Sequence, residues 1–438
     1  MVIILVLGLV VGCTAPQPES REYTAADLHR TAKTLTDVIV HDVFSPPVAS
    51  RIYAYASIAS WETAAALQRE GQQGGIRSLA GQLNGLGPAP TPENVESPEL
   101  AALLAYWKVA RQLVFSPGLM DERMAMIIDT ENIPAGTEAY AEKMAAHIME
   151  WASKDGYNQS RTYELHPEAS GDDEWTPTPP LFMAAIEPHW NSLRTFGIDS
   201  ATQFIPLPPT EFDLSDGSPF RAEIDEVYQT SIKLNEEEEA IARFWDCNPF
   251  VTEEQAHLMP ATKKITPGGH WMGITRIACE LTDRDFHGSL EAYVWTTIAL
   301  ADAFISCWDE KYRSNLIRPE TVINRYVDGD WKPLLETPPF PEYTSGHSVI
   351  STAAAEVLSS LFGEPFEFVD SVEVEYGLPP RSFNSFREAC AEAAISRLYG
   401  GIHYRPAIEQ GVVQGRKVGN YLVKNLSTRS NKPANSEE

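Results

Sequence analysis

The chain has 438 residues, 43% of them apolar, and a formal net charge of −27. That length allows two or three ordinary domains or one large helical one, with enough apolar residues for a sizeable core. So acidic a chain argues against nucleic acid and anionic membrane surfaces as partners, and it makes any local cluster of Lys and Arg conspicuous.

The chain begins "MVIILVLGLVVGCTAPQPES". Its apolar run is shorter than the ~20 residues a spanning helix needs and has the size of a signal-peptide core. The run ends in Val10-Val11-Gly12-Cys13, which resembles the bacterial lipoprotein box, where cleavage before the cysteine is followed by its lipidation. The expectation is an exported protein held to a bacterial membrane or cell surface by a lipid on Cys13 alone. Residues 1–13 are then signal and box, and 14–24 a tether. No Lys or Arg precedes the run, a departure from ordinary signal peptides.

Helical periodicity dominates the chain beyond the tether, as in "AADLHRTAKTLTDVIVHDV", "ASRIYAYASIASWETAAALQRE" and "SPELAALLAYWKVARQLVFS". A helical N-terminal region is expected over 25–205, with linkers at 82–97, 166–182 and 206–219, where Pro, Gly, Asp and Thr collect. A second helical unit is expected over 220–425. Within it, "SLEAYVWTTIALADAFISCWDEKY" is apolar nearly all round yet carries Glu291 and Asp302, which suits the centre of a bundle better than a bilayer. No other run rises above it, so no spanning helix is expected after the signal. The last helix, "AIEQGVVQGRKVGNYLVKN", spaces Gly411, Gly415 and Gly419 four apart, a stripe that lets a neighbouring helix come close. Residues 427–438, "STRSNKPANSEE", have the composition of a disordered tail. Strand signals are scarce, and the fold class is all-α. Cys247, Cys279, Cys307 and Cys390 form no CxxC or Cys/His metal pattern and read as buried free thiols.

Three segments carry the chemistry. In "PPFPEYTSGHSVISTAAAEVLSSLF", a proline-punctuated loop reaches Ser345-Gly346-His347 where an alanine-rich helix begins. Alone, Ser345 reads as an N-cap and Gly346 as a turn. Upstream, "CWDEKYRSNLIRPE" sets Lys311 and Arg318 seven apart; downstream, "AISRLYGGIHYRP" puts Arg397 six before His403. Singly, each could be a solvated charge or a loop histidine. Together they suit the holding of a tetrahedral oxyanion. A helix N-terminus offers free N–H groups, Gly346 lets its own N–H approach closely, and Ser345 adds a hydroxyl. Two guanidinium forks and an ammonium supply fixed charge. One histidine can attack or ligate the central atom, and the other can act as acid–base.

Lys311–x6–Arg318-Pro319, then Ser345-Gly346-His347, then Ser396-Arg397–x5–His403 resembles the three-part signature of the type 2 phosphatidic acid phosphatase/vanadium haloperoxidase superfamily. The resemblance covers roughly residues 308–421 and implies an all-α fold with a four-helix-bundle core and an additional helical N-terminal region. It implies a vanadate cofactor ligated through His403, its oxygens held by Lys311, Arg318, Arg397, Ser345 and the Gly346 amide. Catalysis would fall to His347 as acid–base, to His403, and to Lys311, which polarises peroxide. Trp308 and Phe340 look like the aromatic pair of chloroperoxidase-type members and would line a halide pocket. The implied substrates are hydrogen peroxide and halide, with an organic halogen acceptor and self-association left open.

The long N-terminal half is unlike the short soluble phosphatases of the superfamily, and the lack of several spanning helices is unlike its lipid phosphatases. The alternatives are a soluble phosphomonoesterase, with His403 as nucleophile and His347 as general acid, and a non-catalytic surface lipoprotein. Two positions depart from the pattern: Thr344 stands where Pro is usual, and Ala407 where an Asp orients the second histidine. Asp302 and Glu409 are candidates to replace that carboxylate, whose loss argues against a strongly nucleophilic His403.

Overall fold

A computed structural model describes residues 21–68, 75–249 and 264–430. Cys13 and residues 431–438 of the tail lie outside them. The all-α expectation holds. Among the described residues there are fourteen α-helices and one small antiparallel ribbon.

The N-terminal part contains α1 (Ala25–His41), α2 (Pro46–Leu67), α3 (Pro98–Leu113), α4 (Pro117–Met124), α5 (Ala135–Ala152) and the single turn α6 (Tyr157–Ser160). The rest comprises α7 (Pro219–Ser231), α8 (Glu236–Phe244), α9 (Pro267–Leu281), α10 (Phe286–Ser314), α11 (Pro319–Tyr326), α12 (Gly346–Phe362), α13 (Phe386–Tyr399) and α14 (Arg405–Asn425). Strands β1 (Phe368–Asp370) and β2 (Arg381–Phe383) pair between α12 and α13. Several helices open on proline, where the missing N–H would be unpaired anyway. Others open on a capping side chain, such as Asn235 before α8 or Asp285 before α10.

Helix in the N-terminal part ends at Ser160. Residues 161–218, which contain the linkers expected at 166–182 and 206–219, are irregular apart from one 3-10 turn at Trp190–Ser192. Asp302 on α10 holds this irregular run in place. Its carboxylate accepts from the backbone N–H groups of Phe196, Gly197 and Ile198 at 2.6, 2.7 and 3.0 Å.

Helix α12 lies at the centre of the second half, packed against α9, α10, α13 and α14. Helix α10 also packs on α2, and one apolar core runs through both halves, from Tyr53 and Trp61 to Trp271 and Leu300. The glycine stripe of α14 presses directly on α12. A Cβ at Gly415 would lie 2.1 Å from the Val349 carbonyl oxygen, and one at Gly411 would lie 2.7 Å from Ser348 Cβ.

Among the described residues, α10 is the one helix long and apolar enough to cross a membrane, and its apolar window is wholly buried in the protein. Its Glu291 accepts from Thr428 Oγ1 at 2.5 Å and pairs with Arg429 at 2.6 Å. The expected disordered tail therefore does not start at 427: residues 427–430 are docked. The cause is Glu291 itself, a buried carboxylate that needs partners.

Candidate active site

The three sequence segments converge on one buried cavity. Helix α10 delivers Trp308 and Lys311 from its last two turns, and the chain then turns through Asn315 to Arg318 at the start of α11. The loop 338–345 runs back to the N-terminus of α12, where Ser345 caps: its Oγ accepts from the Ser348 N–H at 3.4 Å. The Ser345 N–H donates to the Ala407 carbonyl at 3.0 Å, which ties this loop to α14. Thr344, in the place of the usual proline, is anchored by its hydroxyl, which donates to Gln414 Oε1 at 2.7 Å. Arg397 comes from the last turn of α13. His403 follows the Gly400-Gly401 turn, where Gly401 has φ +75.

The cations are deeply buried. Lys311 and Arg318 are 0% exposed and Arg397 2%. Lys311 Nζ donates to the carbonyls of Pro341 and Glu342 at 3.0 and 3.1 Å, and burial pulls its pKa down to about 7. Arg318 donates from Nε to the Phe340 carbonyl and from Nη1 to the Ile402 carbonyl, both at 2.8 Å. Burial brings its pKa down to about 10. Arg397 Nη1 lies 3.2 Å from His347 Nε2. Among the described residues, Arg318 Nη2, Arg397 Nε and Arg397 Nη2 have no hydrogen-bond partner, though all three are buried. Buried, unpaired guanidinium N–H groups are costly, so a site that keeps three of them is shaped for an anion that accepts from several at once. A tetrahedral oxyanion such as vanadate or phosphate fits that donor set.

His403 is held by a residue outside the motif positions, Glu342. Its Nδ1 lies 2.8 Å from Glu342 Oε1, and the Tyr404 N–H donates to the same oxygen at 2.9 Å. The Tyr404 N–H marks this oxygen as an acceptor, and with Nδ1–H donating to it as well the Nε2 lone pair is left for a ligand. Nε2 now faces Arg318 Nη1 at 3.2 Å. Burial and the nearby Arg318 and Lys311 depress the pKa of His403 well below the ordinary value. Burial also raises that of Glu342, to about 8, against the pull of Arg318 and Lys311.

Asp302 and Glu409 do not fill this role. Asp302 is spent on the Phe196–Ile198 amides, and Glu409 lies exposed on α14. The usual carboxylate position on α14 is Ala407, fully buried, and the carboxylate reaches His403 from the opposite loop instead. The one signal in the sequence is an acid, Glu342, inside the motif loop and five before His347.

His347 is half-buried on the first turn of α12. Burial and the facing Arg397 push its pKa well below the ordinary value, so it stands neutral, with a ring nitrogen turned to Arg397 Nη1. Trp308 and Phe340 pack together with centroids 5.0 Å apart, and Lys311 Nζ lies 5.0 Å from the Phe340 ring and 5.8 Å from the Trp308 ring. Both aromatics line the cavity, together with Gly346, His347, Arg397 and His403. Its volume is about 40 Å³, room for a small anion and water-sized partners.

Fold and site together define a helical oxyanion-binding protein with a carboxylate-oriented histidine at the floor of its pocket. The structure resembles solved chains over nearly its full length. The crystal structure of the first bacterial vanadium-dependent iodoperoxidase is 49% identical, covers 95% of this chain and 100% of its own, and superposes with a TM-score of 0.89. The holo and apo forms of a bacterial vanadium-dependent chloroperoxidase share the fold, with TM-scores of 0.65 and 0.63 at 15% and 14% identity. They cover 87% and 86% of this chain and 92% and 93% of their own. The family described as "VCPO second helical-bundle domain" matches residues 291–432. No curated protein matches by sequence. The chain belongs to the vanadium-dependent haloperoxidase family.

Proposed function

We propose that this protein is a vanadate-dependent haloperoxidase that oxidises halide with hydrogen peroxide to hypohalous acid. The observation that carries the reading is the set of buried, unpartnered N–H groups on Arg318 and Arg397 beside His403. Those groups, with Lys311, the Ser345 hydroxyl and the Gly346 amide, would hold the oxygens of vanadate, and His403 Nε2 would ligate the metal. When bound, vanadium(V) supplies a Lewis acid that activates peroxide without changing oxidation state. Glu342 keeps the His403 ring in the ligating tautomer. Neutral His347 would serve as proton acceptor and donor for peroxide that enters the site. Lys311 would add positive charge beside the anion, and the Trp308–Phe340 wall next to it would receive halide. The 49%-identical relative is described as an iodoperoxidase, which favours iodide.

A phosphomonoesterase reading gains one support. The pairing of His403 with Glu342 supplies the carboxylate that Ala407 removes, so the sequence-based objection to a nucleophilic histidine falls. The likeness to a haloperoxidase through both halves of the chain still favours peroxide chemistry.

The test separates the two histidines. His403→Ala should lose vanadate affinity, because the ligand atom is gone. His347→Ala should bind vanadate normally but oxidise iodide about 10²–10⁴-fold more slowly, the usual worth of an acid–base group. Equal vanadate affinities in the two variants would overturn the assignment of the ligand.

A further inference from the structure

Next to the pocket, Cys247, His270 and Glu373 meet in a cluster that the chemistry above does not use. Cys247 follows α8, His270 lies in the first turn of α9, and Glu373 follows β1. All three are buried. Among the described residues they are the one group of Cys, His, Asp or Glu whose ligand atoms all lie within 4.8 Å of one another. Cys247 Sγ is 3.5 Å from His270 Nδ1 and 3.8 Å from Glu373 Oε1, and Nδ1 is 3.1 Å from Oε1. Tetrahedral zinc with S, N and O ligands at ordinary bond lengths sets sulfur about 3.5 Å from nitrogen and from oxygen, and nitrogen about 3.3 Å from oxygen. The three separations sit within about 0.3 Å of that figure.

The orientation agrees. His270 turns Nδ1 toward Cys247 and Glu373, while Nε2 meets Asp370 Oδ2 at 2.7 Å. Asp370 is itself fixed by the Val372 N–H at 3.0 Å. A carboxylate behind the imidazole is the outer partner that metal-binding histidines require.

We propose that Cys247, His270 and Glu373 form a zinc site, with Asp370 as the outer partner of His270 and a water as the fourth ligand. Cys247 lines the cavity that also holds His347 and Arg397, which gives the ion a route in. The ion would tie the end of α8 to α9 and to the β1 ribbon. It would also fix Trp245, whose ring stacks on His270 at 4.6 Å and whose carbonyl accepts from His347.

The experiment uses the full vanadate-loaded chain, equilibrated with zinc chloride, passed through a chelating resin and analysed for metal, with cobalt(II) as an optical probe. The expected result is a single retained zinc per chain and a sulfur-to-cobalt charge-transfer band. Asp370→Asn should weaken zinc binding about 10–100-fold. Cys247→Ser should lose the band, while Glu373→Gln should keep the band with weakened affinity. If Cys247→Ser does not fold, Glu373→Gln and Asp370→Asn carry the comparison. No retained zinc in the wild-type chain, or zinc affinity unchanged in the folded variants, would overturn the proposal.

Discussion

Arg318 and Arg397 are buried as deeply as the aromatic core around them, yet keep N–H groups with no partner among the described residues. An anion is the natural complement, and the rest of the site is arranged to control it. Glu342 is the least obvious member. Glu342→Gln preserves shape but presents an amide that can donate, so it no longer fixes the proton on His403 Nδ1. Outer partners of metal-ligating histidines are worth about 10–100-fold in affinity. Vanadate binding by Glu342→Gln, measured by recovery of activity from metal-free protein, should weaken by that factor, with Glu342→Asp recovering part of it. Unchanged affinity would mean that His403 is oriented by its backbone alone. The cations and histidines of the site are legible in the sequence because each sits at fixed spacing beside a helix end, where local structure dictates direction. Glu342 is not, because its partner lies 61 residues away and only the packing of loop against turn brings them together.

At the scale of elements, the pocket is set by how closely α14 approaches α12. The glycine stripe announces that approach in the sequence, and the structure gives it a partner: Val349 and Ser348, just past the His347 turn. A methyl at Gly415 would meet a backbone oxygen, which cannot swing away as a side chain can. Gly415→Ala gains about 1 kcal/mol of helix propensity but overpacks a rigid contact, at a cost of about 1–3 kcal/mol or more. A lower melting temperature and weaker vanadate retention are expected together, because α14 starts two residues after His403. A stabilised variant with intact vanadate binding would show that the helices can part without disturbing the site. The docking of residues 427–430 and the irregular 161–218 run are the converse case. Their order rests on Glu291 and Asp302, buried acids whose partners the sequence does not name.

The molecule as a whole is strongly acidic, with a concentrated cationic centre, and its largest apolar core runs through both halves. That core contains His29, which is 6% exposed and meets the Tyr293 hydroxyl at 2.8 Å. Burial lowers the pKa of His29 from 6.5 to about 4. The unfolded chain therefore takes up this proton between about pH 6.5 and 4 while the folded one does not, so stability falls as pH falls through that window. At about 1.4 kcal/mol per pKa unit the loss approaches about 3 kcal/mol. His29→Gln should flatten the acid side of the stability curve in urea titrations, relative to wild type; parallel curves would place the acid sensitivity elsewhere. At the same scale we propose export and anchoring through Cys13, for which Cys13→Ser should release the protein from membranes. Cell fractionation that leaves the variant membrane-bound would refute it. The central claim is that the cationic pocket holds vanadate and turns peroxide on halide. Its most direct measurement strips the protein of metal, then follows peroxide-dependent iodide oxidation as orthovanadate is returned in the presence and absence of phosphate. The stripped protein should be inactive, vanadate should restore its activity, and phosphate should compete with that recovery. Stripped protein that vanadate cannot restore, but that hydrolyses a phosphate monoester without peroxide, would contradict it.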